Sequence, residues 1–286
     1  MKSVAVIGGE GQLGTDLVKF FDYKNWNVIS VSHKDLSVEN FEQSLSYFRK
    51  YQFNVVINTA ALHNVDKCEK NPLLAWEINA KGSSNIAQIS KEINAKYIYV
   101  STDYVFDGNK GAQYKESDSV GPINVYGASK AAGEIATLSV NEENIVIRIS
   151  SVFGSAGCSG KGGNFVESIL KKAAAGESLN VVSDIFMSPS YTKDVALKLF
   201  SLIERGARGI FHLNNEGRIS WYDFAKEICK QAGYSVRIDK TSTDPNAKLT
   251  RPVDSSLSTS TIDSLGIPQR SWNESLSDYL VEKGHI

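Results

Sequence analysis

In the stretch "INVYGASKAAGE", Tyr126 and Lys130 stand four residues apart. On a helix that spacing places both side chains on one face. A phenol titrates near ~10, and an ammonium beside it favours the phenolate, which brings proton transfer closer to the neutral range. Tyr126 is therefore a candidate proton donor and Lys130 its tuning group, although the same spacing equally describes an exposed pair on a helix surface. A second stretch, "YVSTDYVFDG", sets Thr102, Asp103 and Tyr104 at the end of an apolar run that reads as a strand. Ligands of open α/β sheets bind at the carboxyl ends of strands, where the Thr102 hydroxyl can bond the oxygen that Tyr126 protonates. A third, "SVAVIGGEGQLGTDLVKFF", carries Gly8, Gly11 and Gly14 where a strand gives way to a helical pattern. Such a turn lets a pyrophosphate approach the backbone at a helix N-terminus, and the last glycine lets the helix pack on the strand.

These residues need a scaffold, and the chain supplies the pattern of one. The runs VAVIG, NVISV, NVVIN, KYIYVS and NIVIRIS read as buried parallel strands. Between them lie helical candidates at Gln12 to Phe21, Phe41 to Tyr51, Leu73 to Ile93 and Ala128 to Leu138, so the reading is a doubly wound α/β sheet of the Rossmann type. After Ser150 a glycine-rich stretch, "GSAGCSGKGGNF", leads to a helix near Val166 to Ala175, a strand at Leu179 to Val182, and further helices in "YTKDVALKLFSLIERG", "WYDFAKEICKQAG" and "SWNESLSDYLVEK", with "GIFHLNN" as a strand. Residues 1–150, joined by the helix near 192–206, are expected to form the dinucleotide-binding domain. Residues 151–286 are expected to form a smaller substrate-binding lobe.

The cofactor side can be read further. Gln12 and Leu13 lie inside the glycine turn. The second strand ends in Val31, Ser32, His33 and Lys34 with no acidic residue for a ribose 2′-hydroxyl, which favours NADPH and leaves NADH open. His33 or Lys34 can face a 2′-phosphate. Ser32, Asp35 and Leu36 complete the candidate site there, with Asp35 either capping the next segment or meeting the adenine.

Composition narrows the partners. The chain has 286 residues, 31 Lys plus Arg against 32 Asp plus Glu, and a net charge of −1, so no basic surface advertises nucleic acid or an anionic membrane. Cys68, Cys158 and Cys229 are scattered and lack CxxC spacing, which argues against a disulfide framework and a zinc site; no metal is assigned to the candidate site, and a structural metal is left open. No stretch approaches the ~20 apolar residues of a membrane span, and no leader pattern opens the chain, so a soluble cytoplasmic protein is expected. His63, His212 and His285 are scattered and read as packing or surface residues. The large apolar residues of "SWYDFAKEI" read as core.

Together the motifs resemble the extended short-chain dehydrogenase/reductases and, within them, the dTDP-4-dehydrorhamnose reductase family. "GGEGQLG", "VVINTAALHNVDKCEKNP", "VSTDYVFDG", "PINVYGASKAAGE", "SPSYTKDVA" and "RPVDSSLST" carry the likeness. The resemblance implies that Asn58, Thr59, Ala60 and Ala61 line the dinucleotide and that Val65, Asp103 and Tyr104 border the sugar. It further implies hydride delivery to C4 of a 4-keto-6-deoxy sugar nucleotide, protonation by Tyr126, a Lys130 bond to the nicotinamide ribose, and a carbonyl oriented by Thr102. Arg251, in "LTRPVD", is the candidate for the substrate pyrophosphate, since a guanidinium grips phosphate oxygens bidentately. A homodimer is left open. Two departures bear on the sugar: Ser151 stands where family members usually carry tryptophan, and "DIFMSP" replaces the family's "DQ.GSP". A dehydratase or epimerase shares the glycine turn and YxxxK, but dehydratases carry a glutamate where this chain has Tyr104. A non-catalytic NADP-binding subunit is the other alternative.

Overall fold

The structure, a computed structural model, describes residues 1–157, 163–244 and 249–286. Five strands, β1 (Ser3–Ile7), β2 (Asn27–Val31), β3 (Val55–Asn58), β4 (Lys96–Thr102) and β5 (Ile145–Ile149), pair in parallel, and a sixth, Gly209–His212, closes one edge. The order is Gly209–His212, β5, β4, β3, β1, β2. The chain leaves β1 for β2 on one side and returns for β3 on the other. The carboxyl ends of β1 and β3 therefore flank a topological switch point, the crevice where such sheets bind ligands.

The helices are α1 (Gln12–Tyr23), α2 (Phe41–Phe48), α3 (Val65–Lys70), α4 (Pro72–Ala75), α5 (Gly82–Glu92), α6 (Val125–Val140), α7 (Phe165–Ala174), α8 (Thr192–Glu204), α9 (Trp221–Gln231), α10 (Ser260–Ser264) and α11 (Trp272–Glu282). Leu13, Leu17 and Phe21 recur every fourth residue of α1 and are buried against one face of the sheet together with Val195, Leu199 and Leu202 of α8. The opposite face packs on Leu45 and Phe48 of α2 and Ile86 and Ile89 of α5. A separate core joins Val166 and Leu170 of α7, Phe224 and Ile228 of α9 and Leu276 and Tyr279 of α11. This second lobe holds a parallel pair, Leu179–Val182 with Ile238–Thr241.

The structure departs from the sequence reading in two places. The division at Ser150 does not coincide with the sheet: the edge strand Gly209–His212, read as part of the later lobe, pairs with Ile145 to Arg148 of β5. And the single helix expected over Leu73 to Ile93 is broken by a π-helical stretch, Trp76–Lys81. There Asn79 is fully buried, accepts from the Leu62 amide at 2.8 Å and donates to the Leu62 carbonyl at 3.1 Å and to Ser129 Oγ at 3.0 Å. The widened turn carries an amide side chain that ties α6 to the loop after β3, and π-bulges of this kind cluster at functional sites.

Candidate active site

One cavity of about 960 Å³ opens along the carboxyl ends of β1 to β5. Its floor begins at the glycine turn. Gly8 has φ +75°, its carbonyl accepts from the Gly11 amide at 2.9 Å, and a Cβ on Gly14 would lie 2.1 Å from that carbonyl oxygen. Any side chain at Gly14 would push α1 off the turn. The N-cap of α1 is Gly11, without a side-chain cap and with no acidic residue in the first turn. The orphan amides and the positive end of the helix dipole are therefore free for an anion, as a dinucleotide pyrophosphate requires.

Most of the residues expected from sequence meet here. Gly8, Gly11, Gln12, Leu13, Gly14, Ser32, Leu36, Thr59, Ala60, Ala61, Val65, Thr102, Asp103, Tyr104, Tyr126 and Lys130 all border the cavity. Gln12 also donates to the Val152 carbonyl at 2.9 Å, joining the turn to the chain beyond β5. Asn58 is buried beneath the site, where its side chain donates to the Tyr97 hydroxyl at 2.9 Å and accepts from the Ala60 amide at 3.0 Å. It shapes the loop and does not line the cavity.

Asp35 is a correction. Its carboxylate accepts from the amide and the hydroxyl of Ser32, both at 2.7 Å, so it closes the turn after β2 instead of facing the cavity. Those bonds hold its pKa below the usual value. Arg251 is likewise not a cavity wall. It is half exposed, lies 3.5 Å from Asp66 Oδ2 and hydrogen-bonds with Tyr104, so it reaches the site through that phenol. His33 and His63, by contrast, both line the cavity.

The strand-end triplet has more internal bonding than the sequence suggests. Asp103 is buried and accepts from Thr102 Oγ1 at 3.0 Å, Ser150 Oγ at 2.7 Å and Ser255 Oγ at 2.5 Å. Desolvation nonetheless raises its pKa, so these donors stabilise a carboxylate that water does not reach. Its acceptor sites are engaged within the protein, which makes it a bracket for Thr102 more than a contact for sugar hydroxyls. Thr102 Oγ1 also accepts from the Tyr104 amide at 3.2 Å and shares a hydrogen bond with Tyr126.

Tyr126 and Lys130 do occupy one face of α6, whose N-cap Asn124 accepts from the Gly127 amide. Lys130 Nζ, however, donates to the Val100 carbonyl at 2.5 Å and lies 4.0 Å from the centre of the Tyr99 ring. A buried ammonium needs an acceptor, and the strand end supplies one. Burial lowers the Lys130 pKa to about 7, partly offset by the Glu134 carboxylate. Burial also pushes the Tyr126 phenol well above its usual value. The Lys130 ammonium directs its hydrogen bond to the strand end and not to the phenol.

The profile of the RmlD substrate binding domain matches residues 1–284. The chain belongs to this family. It is 38% identical over 99% of its length to the spore coat polysaccharide biosynthesis protein SpsK of Bacillus subtilis, of which it covers 98%. It is 32% identical to dTDP-4-dehydrorhamnose reductase of Aggregatibacter actinomycetemcomitans, covering 97% of this chain and 98% of that one. Among solved structures, dTDP-4-dehydrorhamnose reductase of Bacillus anthracis in complex with NADP superposes with a TM-score of 0.93 at 33% identity, over 99% of this chain and 100% of that chain.

Membership of the RmlD family makes the position of Ser151 informative. It follows β5, lines the cavity and has φ +46°, in the left-handed region that side chains seldom adopt. Sequence reasoning also missed Phe165, and it read Trp221, in "SWYDFAKEI", as core more than binding; both border the cavity. Their helical periodicity carried no sign of which residue would face outward. Cys68 and Cys229 are buried and neither forms a disulfide with another described residue, the Cys68 thiol donating to the Leu62 carbonyl at 3.2 Å, and Cys158 lies outside the described residues. No described helix is long and apolar enough to cross a membrane.

Proposed function

We propose that the protein reduces the C4 ketone of a 4-keto-6-deoxy sugar nucleotide with NADPH, dTDP-4-dehydrorhamnose being the expected substrate. The observation that carries this is the meeting of Thr102, Tyr126 and Lys130 with the uncapped glycine turn in one cavity. The residues of the turn and of the β3 loop would hold the dinucleotide, whose reduced nicotinamide supplies the hydride. Tyr126 keeps its proton until an alkoxide develops beside it and then donates it. Thr102, whose hydroxyl donates to Asp103 in this structure, would turn that proton to the ketone oxygen when substrate binds and so hold the carbonyl in line. Lys130 provides a donor beside the nicotinamide ribose, and its depressed pKa lets its charge respond to what binds there. The test is incubation of the protein and NADPH with a panel of 4-keto-6-deoxy sugar nucleotides while the reduced cofactor's absorbance is followed. Consumption with none of them overturns the reading.

A preference for NADPH over NADH is expected, because Ser32 and His33 border the cavity where an acidic side chain would repel a 2′-phosphate, and Asp35 is committed to Ser32. Steady-state kinetics with both cofactors decide it, and a higher kcat/KM with NADH contradicts it. Arg251 would grip the substrate's diphosphate beside Tyr104. Arg251→Ala should raise substrate KM by about 10- to 100-fold, as loss of charge-assisted hydrogen bonds does, with the cofactor KM unchanged. An unchanged substrate KM in the folded variant removes Arg251 from the site.

A further inference from the structure

Behind Lys130 sits a charge that the chemistry above has not used. Tyr126, Lys130 and Glu134 follow one another at four-residue intervals along α6, so they form one stripe on the helix. Glu134 is buried and both of its carboxyl oxygens accept: Oε1 from Arg148 Nε at 2.9 Å and from Ser101 Oγ at 2.5 Å, Oε2 from Arg148 Nη2 at 2.7 Å. A guanidinium donating to both oxygens is the pattern of a carboxylate. The two anchors are themselves register partners, Ser101 of β4 lying opposite Arg148 of β5. Ser101 also stands between Val100, whose carbonyl holds Lys130, and Thr102.

The titratable groups around Lys130 are few. Helix α6 gives Tyr126 and Glu134, β4 gives Tyr99, whose ring centre is 4.0 Å from Nζ, and α3 gives Cys68. Arg148 of β5 is paired with Glu134, and His212 of the edge strand, 3.4 Å from Arg148 Nη1, is held far below its ordinary value by burial. Of these groups only Glu134 is a carboxylate. Burial pulls the Lys130 ammonium down to about 7 even with Glu134 pushing it back up, so without that charge the side chain would be a neutral amine at neutral pH. Stability does not call for the arrangement, because apolar side chains of similar volume match or exceed a buried ion pair. A carboxylate fixed one turn behind Lys130 therefore points to a task at the site.

We propose that Glu134 is a positioning residue, the fixed negative charge that keeps Lys130 an ammonium and so a charge-assisted donor to the dinucleotide ribose. The proposal rests on the reading of Lys130 as the ribose donor. One of the ammonium's three protons goes to Val100, which leaves the others for the cavity that Lys130 borders. Ser101 and Arg148 hold the carboxylate still, so its field reaches Lys130 from one direction.

The test is the titration of Lys130 in the protein without cofactor, followed by nuclear magnetic resonance on isotope-labelled lysine side chains. Lys130→Met identifies the resonance and separates it from that of buried Lys198. In Glu134→Gln the midpoint should fall by about one to three pH units, the effect of losing an adjacent opposite charge, and Glu134→Asp should restore most of it. A merely structural role predicts the reverse, since a loosened core admits water and moves the midpoint up toward the ordinary lysine value. An unchanged or raised midpoint overturns the proposal. If Glu134→Gln does not fold, Glu134→Leu combined with Arg148→Met leaves no unpaired charge, and its midpoint should fall as well. The second arm is the NADP⁺ Kd across the same pH range. It should rise by about 10- to 100-fold as pH passes the Lys130 midpoint, as loss of a charge-assisted hydrogen bond does, and the rise should begin at lower pH in Glu134→Gln. A Kd that does not follow the midpoint overturns the task assigned to the charge. Neither arm contains a keto sugar, so failure here leaves the reductase reading standing, and a protein that reduces no keto sugar leaves both arms readable.

Discussion

Tyr126→Phe is expected to lower kcat by ~10² to 10⁴, the usual contribution of a positioned acid, while the fold and the dinucleotide Kd stay as they are. The change deletes one oxygen. That oxygen is the one shared with Thr102, and burial holds its proton on until charge develops on the substrate. Lys130→Met should be no milder and should also raise the dinucleotide Kd, because it removes a donor beside the ribose as well as the ammonium on Val100. The two signatures differ, so single-turnover hydride transfer combined with cofactor titration separates them. Turnover of the Phe variant within a few-fold of wild type would remove Tyr126 from the chemistry.

Behind the site, Arg148→Met is expected to cost about 3–5 kcal/mol of stability, the range found when one partner of a buried ion pair is removed. Arg148 and Glu134 are 2% and 4% exposed, and the guanidinium grips the carboxylate at 2.9 and 2.7 Å. Ser101 Oγ donates to the same carboxylate at 2.5 Å, next along β4 from the carbonyl that holds Lys130. The lone methionine takes the guanidinium from a buried carboxyl and leaves it the Ser101 hydroxyl as a donor. Glu134→Leu combined with Arg148→Met should recover most of the loss, since two apolar side chains need no partners. Urea unfolding monitored by circular dichroism measures both. A single variant as stable as wild type would mean that the pair is solvated, and a double variant no better than the single one would point to lost packing instead.

Why some of this was legible in the sequence and some was not has a physical basis. The glycine turn, Thr102, Tyr126 and Lys130 could be located because each chemistry requires a particular residue type at a fixed offset from a strand end or on a helix face. The parallel strands could be located because burial on both faces leaves continuous apolar runs such as VVIN. What sequence does not encode locally is which acceptor a long side chain chooses. Lys130 turned to Val100, Asp35 turned back to Ser32, and Asp103 collected hydroxyls from Ser150 and Ser255, residues 47 and 152 positions away. The π-helical stretch at Trp76–Lys81 escaped for a similar reason: its cause is Asn79 reaching Leu62 and Ser129, contacts that appear only once α6 is docked. Trp221 looked like core because its neighbours are core, and the face it keeps open is decided by the far wall.

The edge strand Gly209–His212 has a consequence for how the molecule is made. Its partner β5 ends at Ile149, yet the register runs from Gly209 against Ile145 to His212 against Arg148, so the loop to be closed holds α7, the strand Leu179–Val182 and α8. As the chain emerges from the ribosome, the first five strands wait for the sixth, and α8 arrives with it to cover α1. Long-range pairing of this kind slows folding, because loop-closure entropy is spent before the contacts form. A fragment cut after Ser150 would therefore present β5 as a bare, apolar edge open to pairing with other chains.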